Sequence, residues 1–220
     1  MGSQNACTRC GKCCLQSSPS LQLKDLHLIQ NHIIPKSHLY SIREGELVKD
    51  NIHNQLIITQ EEMIKIKEKP GSDRGCIYYG DAQKACRIYP NRPSQCAALK
   101  CWDPNDFEKV YSGPKLTRSH IIANNVILGI MTEHERRCSY KTLDELIKMI
   151  ETEGDQVLQE ILNILRFDYE LRPFISKKLD LDPEEMDLYF GRPLVNTIVM
   201  HGLEVRQESD GGFLLTKKEG

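Results

Sequence analysis

Apolar residues recur at helical spacing in several parts of the chain, and residues that favour helix ends precede them. The stretch LQLKDLHLIQNHI follows Ser20 and predicts a short helix with Ser20 as its cap. The stretch SHIIANNVILGIMTEHERRC, residues 119–138, predicts a longer buried helix that begins at Ser119. Its last turn is basic, which suits the negative end of a helix dipole.

The C-terminal third of the chain continues this helical pattern. Thr142 and Glu145 have the spacing of a capping box ahead of LIKMIETEGDQVLQEILNILRFDYEL. Gly154 lies inside this stretch, so it either interrupts one helix or separates two. In LDPEEMDLYF, Asp182 is a predicted cap and Pro183 suits the first helical position.

Strand patterns occur in the middle and at the end of the chain. SHLYSIREGELVKDNIHNQLIIT combines β-branched residues with turn signals and predicts a hairpin or a pair of short strands. LEVRQESDGGFLLTKK alternates on both sides of a Ser-Asp-Gly-Gly turn and predicts a C-terminal β-hairpin. In TQEEMIKIKEK, by contrast, Thr59 and Glu62 have capping-box spacing, which predicts a short helix that ends near Pro70 and Gly71.

Together these elements predict an α+β fold that is predominantly helical. Residues 75–104 are rich in Gly, Pro and Cys, so we expect an irregular, cysteine-rich metal-binding core there. We expect residues 1–138 to form a cysteine-cluster metal-binding domain. Residues 139–220 then form a helical segment with the C-terminal hairpin, packed on the first part as one compact unit.

Length and cysteine number indicate how the cysteines are used. A chain of 220 residues can bury a hydrophobic core and does not need disulfides to stay folded. Its start, MGSQNACTRC, lacks the basic segment and the apolar stretch of a secretory signal, so we expect a reduced, cytoplasmic protein. Nine cysteines, an odd number, fit complete disulfide pairing poorly, whereas thiolates that bind a metal need no partner cysteine.

Charge and hydropathy exclude two classes of function. The net charge is -2 and the basic residues are scattered, so we expect no general nucleic-acid binding. Apolar runs such as IIANNVILGIM are too short and too interrupted to span a bilayer, so we expect no membrane association. The expected partner is an unidentified protein or redox partner.

Eight of the nine cysteines fall into two groups of four. The first group is the run CTRCGKCC, and the second lies in GCIYYGDAQKACRIYPNRPSQCAALKCWDP. A CxxC spacing allows two sulfurs of one tight turn to bind a single ion. The predicted metal ligands are Cys7, Cys10, Cys13, Cys14, Cys76, Cys86, Cys96 and Cys101.

The spacing leaves two kinds of metal centre open. Cys7, Cys10 and Cys13 have the CxxCxxC spacing that supplies three ligands of one iron–sulfur cubane in bacterial ferredoxins, and the fourth ligand would come from the second group. Zinc also takes four thiolates, so eight cysteines could form two structural zinc sites. Neighbouring side chains diverge, so either Cys13 or Cys14 would serve a second site or stay free.

One further cysteine has a different environment. Cys138 follows His134 by four residues, which places both on one face of a helix. They could supply metal ligands, although a capped helix end with a buried thiol is the favoured interpretation. The chain has no GxG, GxSxG, HExxH or Walker motif, so no catalytic residue is assigned.

The two cysteine blocks resemble those of the CxxCxxCC cysteine-cluster family, whose members are described as zinc- or iron-chelating. The resemblance rests on CTRCGKCC, then on Cys76, on Cys86 with Ile88 and Tyr89, on Arg92 with Pro93 and Cys96, and on Cys101. Ala97 follows Cys96 where the family often has arginine.

The resemblance implies metal binding at these cysteines, with an iron–sulfur cluster, 4Fe-4S in type, as the leading cofactor and zinc as the alternative. We therefore expect electron transfer or a redox step. Some relatives are associated with lysine methylation of flagellin, so a lysine methyltransferase-like enzyme is a further alternative. This chain is short for such an enzyme and lacks a glycine-rich cofactor loop.

Overall fold

A computed structural model describes residues 7–8, 10–50, 55–71, 75–207 and 212–218. The fold is α+β and mainly helical, as predicted, with short antiparallel strand pairs. The chain forms two compact units, each built from two separate segments. The first unit contains Met1–Tyr40 and Met63–Ile121, and the second contains Ser41–Glu62 and Ile122–Gly220.

The helices are short in the first half of the chain and long in the second. In chain order they are α1 (Lys12–Gln16), α2 (Leu26–Gln30), α3 (Ser94–Ala98), α4 (Asn105–Tyr111), α5 (Arg118–Ile121), α6 (Asn125–Arg137), α7 (Tyr140–Glu153), α8 (Asp155–Leu179), α9 (Met186–Phe190) and α10 (Leu194–Thr197). Single turns of 3-10 helix lie at Leu23–Asp25, Lys36–His38, Tyr89–Asn91, Pro183–Glu185 and Ile198–His201.

The strands are all short. They are β1 (Leu39–Ile42), β2 (Leu47–Asp50), β3 (Gln55–Ile58), β4 (Met63–Ile66), β5 (Tyr79–Gly80), β6 (Ala85–Cys86), β7 (Leu203–Gln207) and β8 (Phe213–Lys217). Antiparallel pairs form between β2 and β3, between β5 and β6, and between β7 and β8. The β7–β8 pair is the predicted C-terminal hairpin, and residues 208–211 of its turn lie outside the described residues.

The core of the first unit joins three distant segments of chain. Leu21 donates its N–H to the carbonyl oxygen of Ile64 at 2.8 Å, and Leu116 donates to Leu21 at 3.0 Å. All three side chains are fully buried. Burying one such side chain contributes about 1.5–3 kcal/mol to folding stability. The contacts among these three residues therefore fix the segments that flank the first cysteine block.

The predicted helix that begins at Thr59 is wrong, because Met63–Ile66 is the strand β4. Ile64 and Ile66 are buried while their neighbours Met63 and Lys65 are only half-buried, which is the alternation of a strand. Thr59 does not cap a helix. Its hydroxyl donates to the carbonyl oxygen of Arg43 at 2.6 Å, within the second unit.

The core of the second unit lies between α7, α8, α10 and β7. Gly154 has φ +61° and separates α7 from α8, so two helices form where the sequence allowed one or two. Because α7 and α8 are joined by this single glycine, their apolar faces pack together. The buried residues are Cys138, Tyr140, Leu143, Leu146, Val157, Ile161, Leu165, Leu194, Ile198 and Leu203.

Several helices begin at a different residue from the one predicted. The predicted helix over 119–138 is broken into α5 and α6, because the Asn124 side chain accepts hydrogen bonds from the N–H groups of Val126 and Ile127 and starts a new helix. Ser139 caps α7 in place of Thr142. Asp182 caps its turn as predicted, by accepting a hydrogen bond from the Glu184 N–H.

The start of the first helical segment also differs from the prediction. Ser20 does not act as its cap and instead forms a β-bridge with Lys65. The cap lies two residues later, where Gln22 and Asp25 form a reciprocal capping box. Across the described ranges, no helix has both the length and the apolar character needed to cross a bilayer.

Candidate metal centre

The first cysteine block is a tight turn followed by one helical turn. Gly11 has φ +74° and immediately precedes α1, which carries Cys13 and Cys14. A Cβ atom on Gly11 would lie 2.8 Å from both Cζ and the hydroxyl oxygen of Tyr79, closer than real Cβ contacts. Glycine is therefore required here both for its backbone conformation and for the approach of Tyr79.

The second cysteine block contacts the first through the backbone. Cys76 donates its N–H to the carbonyl oxygen of Cys14 at 2.7 Å. The chain then turns into β5 and β6, where Tyr79 is paired with Cys86. Tyr79 therefore connects the two blocks, since it pairs with Cys86 on one side and packs on Gly11 on the other.

Cys96 lies on α3, and two buried polar side chains hold this helix in place. The Asp25 carboxylate accepts hydrogen bonds from the N–H and the hydroxyl of Ser94, each at 2.9 Å. The Gln95 amide oxygen accepts a hydrogen bond from the Ser20 N–H at 3.1 Å. Both Asp25 and Gln95 are buried, so α3 is fixed to the core of the first unit.

The eight predicted ligands divide evenly by exposure. Four are exposed: Cys7, Cys10, Cys13 and Cys101. Four are half-buried or buried: Cys14, Cys76, Cys86 and Cys96.

The half-buried thiols influence one another electrostatically. Burial raises the pKa of Cys76 to about 11, and burial also raises the pKa of Cys86 and Cys96. The charges of Cys76, Cys13 and Cys86 further raise the pKa of Cys96. Among the described residues, however, no three cysteine sulfurs lie within 4.8 Å of one another, so the thiols share one region without forming a closed metal site. A metal ion bound there would offset the mutual repulsion of the thiolates.

Cys13 and Cys14 interact directly, with their sulfur atoms 4.0 Å apart. The hydrogen bond with Cys14 lowers the pKa of Cys13 to about 6, whereas the hydrogen bond with Cys13 raises the pKa of Cys14. Cys10 is also shifted, because hydrogen bonds from the Lys12 backbone and the Thr8 side chain lower its pKa. The first block thus favours thiolates on its exposed side.

Cations accompany these thiols. The Arg92 guanidinium lies 4.1 Å from the centre of the Tyr89 ring, and its charge opposes the rise in the pKa of Cys86 and Cys96. The two segments of the first unit contain 15 Lys and Arg against 7 Asp and Glu. This excess of positive charge suits a group of bound thiolates, and the set of sulfur donors fits zinc or an iron–sulfur cluster.

A second group of potential ligands lies in the second unit. Candidate ligand atoms of His134, Cys138 and Asp168 all lie within 4.8 Å of one another, and all three residues are buried. Cys138 caps α6 by donating its N–H to the His134 carbonyl oxygen at 2.8 Å, which is the capped end with a buried thiol that the sequence favoured. Sequence reasoning missed Asp168.

Hydrogen bonds account for the carboxylate of this second group, whereas Nδ1 of His134 is buried and has no hydrogen-bond partner among the described residues. Oδ1 of Asp168 lies 2.8 Å from Nε2 of His134 and accepts a hydrogen bond from Arg172 at 2.8 Å, while Oδ2 accepts one from the Leu194 N–H. The charges of Arg172 and Arg43 adjoin the group and disfavour a further cation. We interpret it as a buried structural network.

The position of Asp168 could have been recognised from the sequence. On α8 the residues Ile161, Leu165, Asp168, Arg172 and Ile175 are all buried and are spaced by three or four positions. They form one face of the helix, so two charged residues interrupt an otherwise apolar stripe. A buried pair of opposite charge is the expected solution for such positions.

One of three comparisons with known proteins agrees with the cysteine spacing of the sequence. A family model named CxxCxxCC, with the description "Putative zinc- or iron-chelating domain", matches residues 6–114. Comparison of the chain with curated proteins and with solved structures gave no match. The matched range contains all eight cysteines of the two blocks and excludes Cys138. Residues 6–114, slightly less than half of the chain, therefore match the CxxCxxCC family of zinc- or iron-chelating domains, the resemblance that the cysteine spacing predicts.

Proposed function

We propose that the protein binds an iron–sulfur cluster with cysteines of both blocks and uses it for electron transfer or a redox step in the cytoplasm. The ligands come from Cys7, Cys10, Cys13, Cys14, Cys76, Cys86, Cys96 and Cys101. The partner is a second protein that gives or accepts the electron. Zinc bound at the same cysteines, in a structural interaction module, is the competing function.

One observation carries this proposal. The N–H of Cys76 and the carbonyl oxygen of Cys14 are 2.7 Å apart, which joins blocks that are 62 positions apart in sequence. A hydrogen bond between the backbones of two candidate ligands brings their side chains into one region. Metal sites whose ligands come from distant segments release their binding free energy as folding stability.

The ligand set favours a redox or structural role over hydrolysis. Catalytic zinc keeps one position open for water, whereas four cysteines fill the coordination sphere of a metal. A bound iron–sulfur cluster supplies reversible one-electron oxidation and reduction. The chain has no catalytic motif that would add a hydrolytic reaction.

Two buried aromatic residues of the second block, Tyr78 and Tyr79, would limit the access of water to the buried cysteines. Tyr78 and Tyr79 are each 6 % exposed. The Tyr78 hydroxyl is 2.8 Å from Nδ1 of His38, so this ring is held in one orientation. A shielded cluster is less exposed to solvent, and solvent exposure is one of the factors that set reduction potential.

Metal and sulfide analysis of protein purified without oxygen tests the proposal. We expect iron together with acid-labile sulfide and a broad absorption band near about 400 nm, as for cubane clusters. Cys138→Ser, which changes the thiol outside the two blocks, is the matched control and should keep the metal. Zinc in a colourless solution would replace the redox function with the structural one, and absence of any bound metal would refute both.

A further inference from the structure

We infer that the protein partner of the cysteine site carries an acidic patch, and that this patch docks on cations beside the two cysteine blocks. These cations, here called the basic surface, are the exposed Lys12, Lys84 and Arg87 and the half-buried Arg92. The inference rests on the proposed function, because it names the chemistry of the partner that reaches the same site. It adds a recognition surface that consists of residues other than the metal ligands.

Two of these cations adjoin the contact between the cysteine blocks. Gly11 packs against Tyr79, and Tyr79 is the strand partner of Cys86. Lys12 follows Gly11 and Arg87 follows Cys86, so one cation comes from each block. Both side chains are exposed, and a docking protein can therefore reach them together with the thiols.

Arg92 acts on cysteines of both blocks. Its guanidinium lies 4.1 Å from the centre of the Tyr89 ring, which holds the charge in place. The pKa of Cys13 is lowered mainly by the hydrogen bond with Cys14, and the charge of Arg92 lowers it further. The Arg92 charge therefore belongs to the surroundings of the site and not to a separate part of the unit.

Lys84 lies in the turn between β5 and β6, and it is exposed. Its φ is +50°, a conformation that glycine or asparagine adopts at less cost than lysine. The turn therefore gives no reason for a lysine at this position. A positive charge two residues before Cys86 does give a reason, and it can be separated from the turn by substitution.

Carboxylates of the chain do not neutralise the basic surface. Among the residues that the structure describes, no ion pair involves any of its four cations. Arg87 donates a hydrogen bond to the carbonyl oxygen of Ile77 at 2.5 Å, which leaves its charge uncompensated. Two exposed carboxylates of the same unit have other partners, namely Asp81 with Lys69 and Asp106 with Lys100.

A bound metal does not use up the positive charge either. The sequence segments of the first unit contain 15 Lys and Arg against 7 Asp and Glu. A zinc ion or a cubane cluster held by four thiolates carries about two negative charges, which offset only a minor part of this excess. The loaded unit therefore stays positive and attracts a negatively charged partner.

The rest of the chain favours an acidic protein over a nucleic acid. The sequence segments of the second unit contain 24 Asp and Glu against 14 Lys and Arg, and this charge repels a long polyanion. A protein presents its carboxylates as a limited patch. Leu15 and Trp102 each follow a cysteine and are 47 % and 38 % exposed, and such apolar side chains suit the core of a protein interface with a charged rim.

The test uses the full chain with its metal and a fluorescent peptide of about ten glutamates as the acidic probe. Fluorescence anisotropy at low salt should show binding, and about 0.3 M salt should weaken it on the order of tenfold, because salt screens exposed charges. Lys84→Gly removes one cation and suits the turn, so it should weaken binding about twofold to fivefold without loss of stability. Lys84→Arg keeps the charge and should bind as the unchanged protein does.

Two further variants make the comparison specific. Arg87→Gln removes a cation beside the other strand of the same turn and should repeat the effect of Lys84→Gly. Lys141→Gln is the matched control, because Lys141 is exposed on α7 in the second unit and its loss changes the net charge by the same amount. Peptide binding by Lys141→Gln should equal that of the unchanged protein.

The outcomes separate this inference from the proposed function. Equal peptide binding by Lys84→Gly, Arg87→Gln and the unchanged protein would overturn the basic surface while metal binding stands. Tighter binding of an oligonucleotide with about ten phosphates would replace the acidic protein by a nucleic acid, and self-association at low salt that Lys84→Gly abolishes would replace it by a second copy of this chain. If the purified protein holds neither zinc nor iron, the proposed function itself fails.

Discussion

Gly11 and Tyr79 are in direct contact, although they belong to different cysteine blocks. The Tyr79 ring occupies the space that a side chain at residue 11 would need, and Gly11 has φ +74°. Tyr79 is also the strand partner of Cys86. This contact therefore fixes the position of the second block relative to the CxxCxxCC turn.

Gly11→Ala should disturb the metal centre. The new methyl group meets the Tyr79 ring and the residue must keep a left-handed conformation, so we expect a loss of about 2–4 kcal/mol of folding free energy. Metal affinity should fall with it. Urea unfolding and competition with a chelator measure the two effects.

Gly71→Ala is the matched control for this change. Gly71 has φ +72° and lies in the same unit, but no atom of the described residues is within 4 Å of the position that its Cβ would take. Gly71→Ala should therefore lower the folding free energy only by the backbone strain of about 1 kcal/mol and leave metal affinity unchanged. Equal effects of the two substitutions on metal affinity would show that the Tyr79 contact has no role.

The long helices could be predicted from the sequence, because apolar spacing over many residues identifies a helix whatever its neighbours are. The residues that cap these helices are harder to predict from the sequence than the helices themselves. Ser139 and Thr142 are both good caps, and tertiary packing selects between them. In the strand Met63–Ile66, the alternation of buried and half-buried side chains spans only four residues. This signal is weaker in the sequence than the capping-box pattern at Thr59, which predicts a helix there.

The cysteines of the candidate site were recognisable because their spacing is local. The residues that position them were not, because each acts over a long distance in sequence. Asp25 caps a helix that begins at Ser94, and Tyr79 meets Gly11 through a turn that only glycine allows. No pattern within a short window of sequence connects such pairs.

Asp25 should position Cys96 and thereby support metal binding. Asp25→Ala removes the acceptor for the N–H groups of Ser94 and Gln22, so buried donors lose their partner. We expect a cost of about 2–3 kcal/mol, since hydrogen bonds to a charged group are affected. Calorimetric titration with zinc should show weaker binding to the variant.

Asp81→Ala is a suitable control for Asp25→Ala. Asp81 lies in the same unit, is exposed, and has an ion pair with Lys69. Loss of an exposed ion pair changes stability by about 0–1 kcal/mol. Zinc binding by Asp25→Ala that equals zinc binding by Asp81→Ala would contradict a positioning role for Asp25.

Metal removal should loosen the segment that lies between the two blocks. Because binding free energy at a metal site is also folding free energy, chelation should expose residues 15–40 and 63–75, the parts of this segment that belong to the first unit, to protease. Mass spectrometry of the fragments identifies the cleavage positions. Cleavage within α7 and α8, which belong to the other unit, should change less, and equal protease resistance with and without metal would argue against a cross-link between the blocks.

The buried network of the second unit predicts how stability depends on pH. Burial lowers the pKa of His134, so its proton binds more readily in the unfolded chain. The contribution of neutral His134 to the free energy of unfolding is therefore fully present above the ordinary histidine pKa of about 6.5. This contribution falls as the pH drops below that value. His134→Gln should flatten this slope, apart from the part due to His201, whose pKa burial also lowers.

At lower pH, Asp168 should account for most of the loss of stability that the buried network causes. Burial alone would raise its pKa, but the hydrogen bond with His134 and the charge of Arg172 outweigh burial and lower the pKa to about 2. The ordinary value is about 3.9, so up to about 3 kcal/mol of stability is lost progressively as the pH falls from about 5 to 1. Asp168→Asn should be less stable at neutral pH and should lack this acid-dependent loss.

Urea unfolding from pH 8 down to pH 2, with the unchanged protein and both variants side by side, separates the two groups. Acid also protonates metal thiolates, but all three proteins keep the same eight cysteines, so differences between them report the network alone. A variant His134→Gln with the same slope as the unchanged protein between about pH 6.5 and 5 would mean that His134 is protonated equally in both states. The network would then contribute hydrogen bonds to the second unit without making its stability depend on pH.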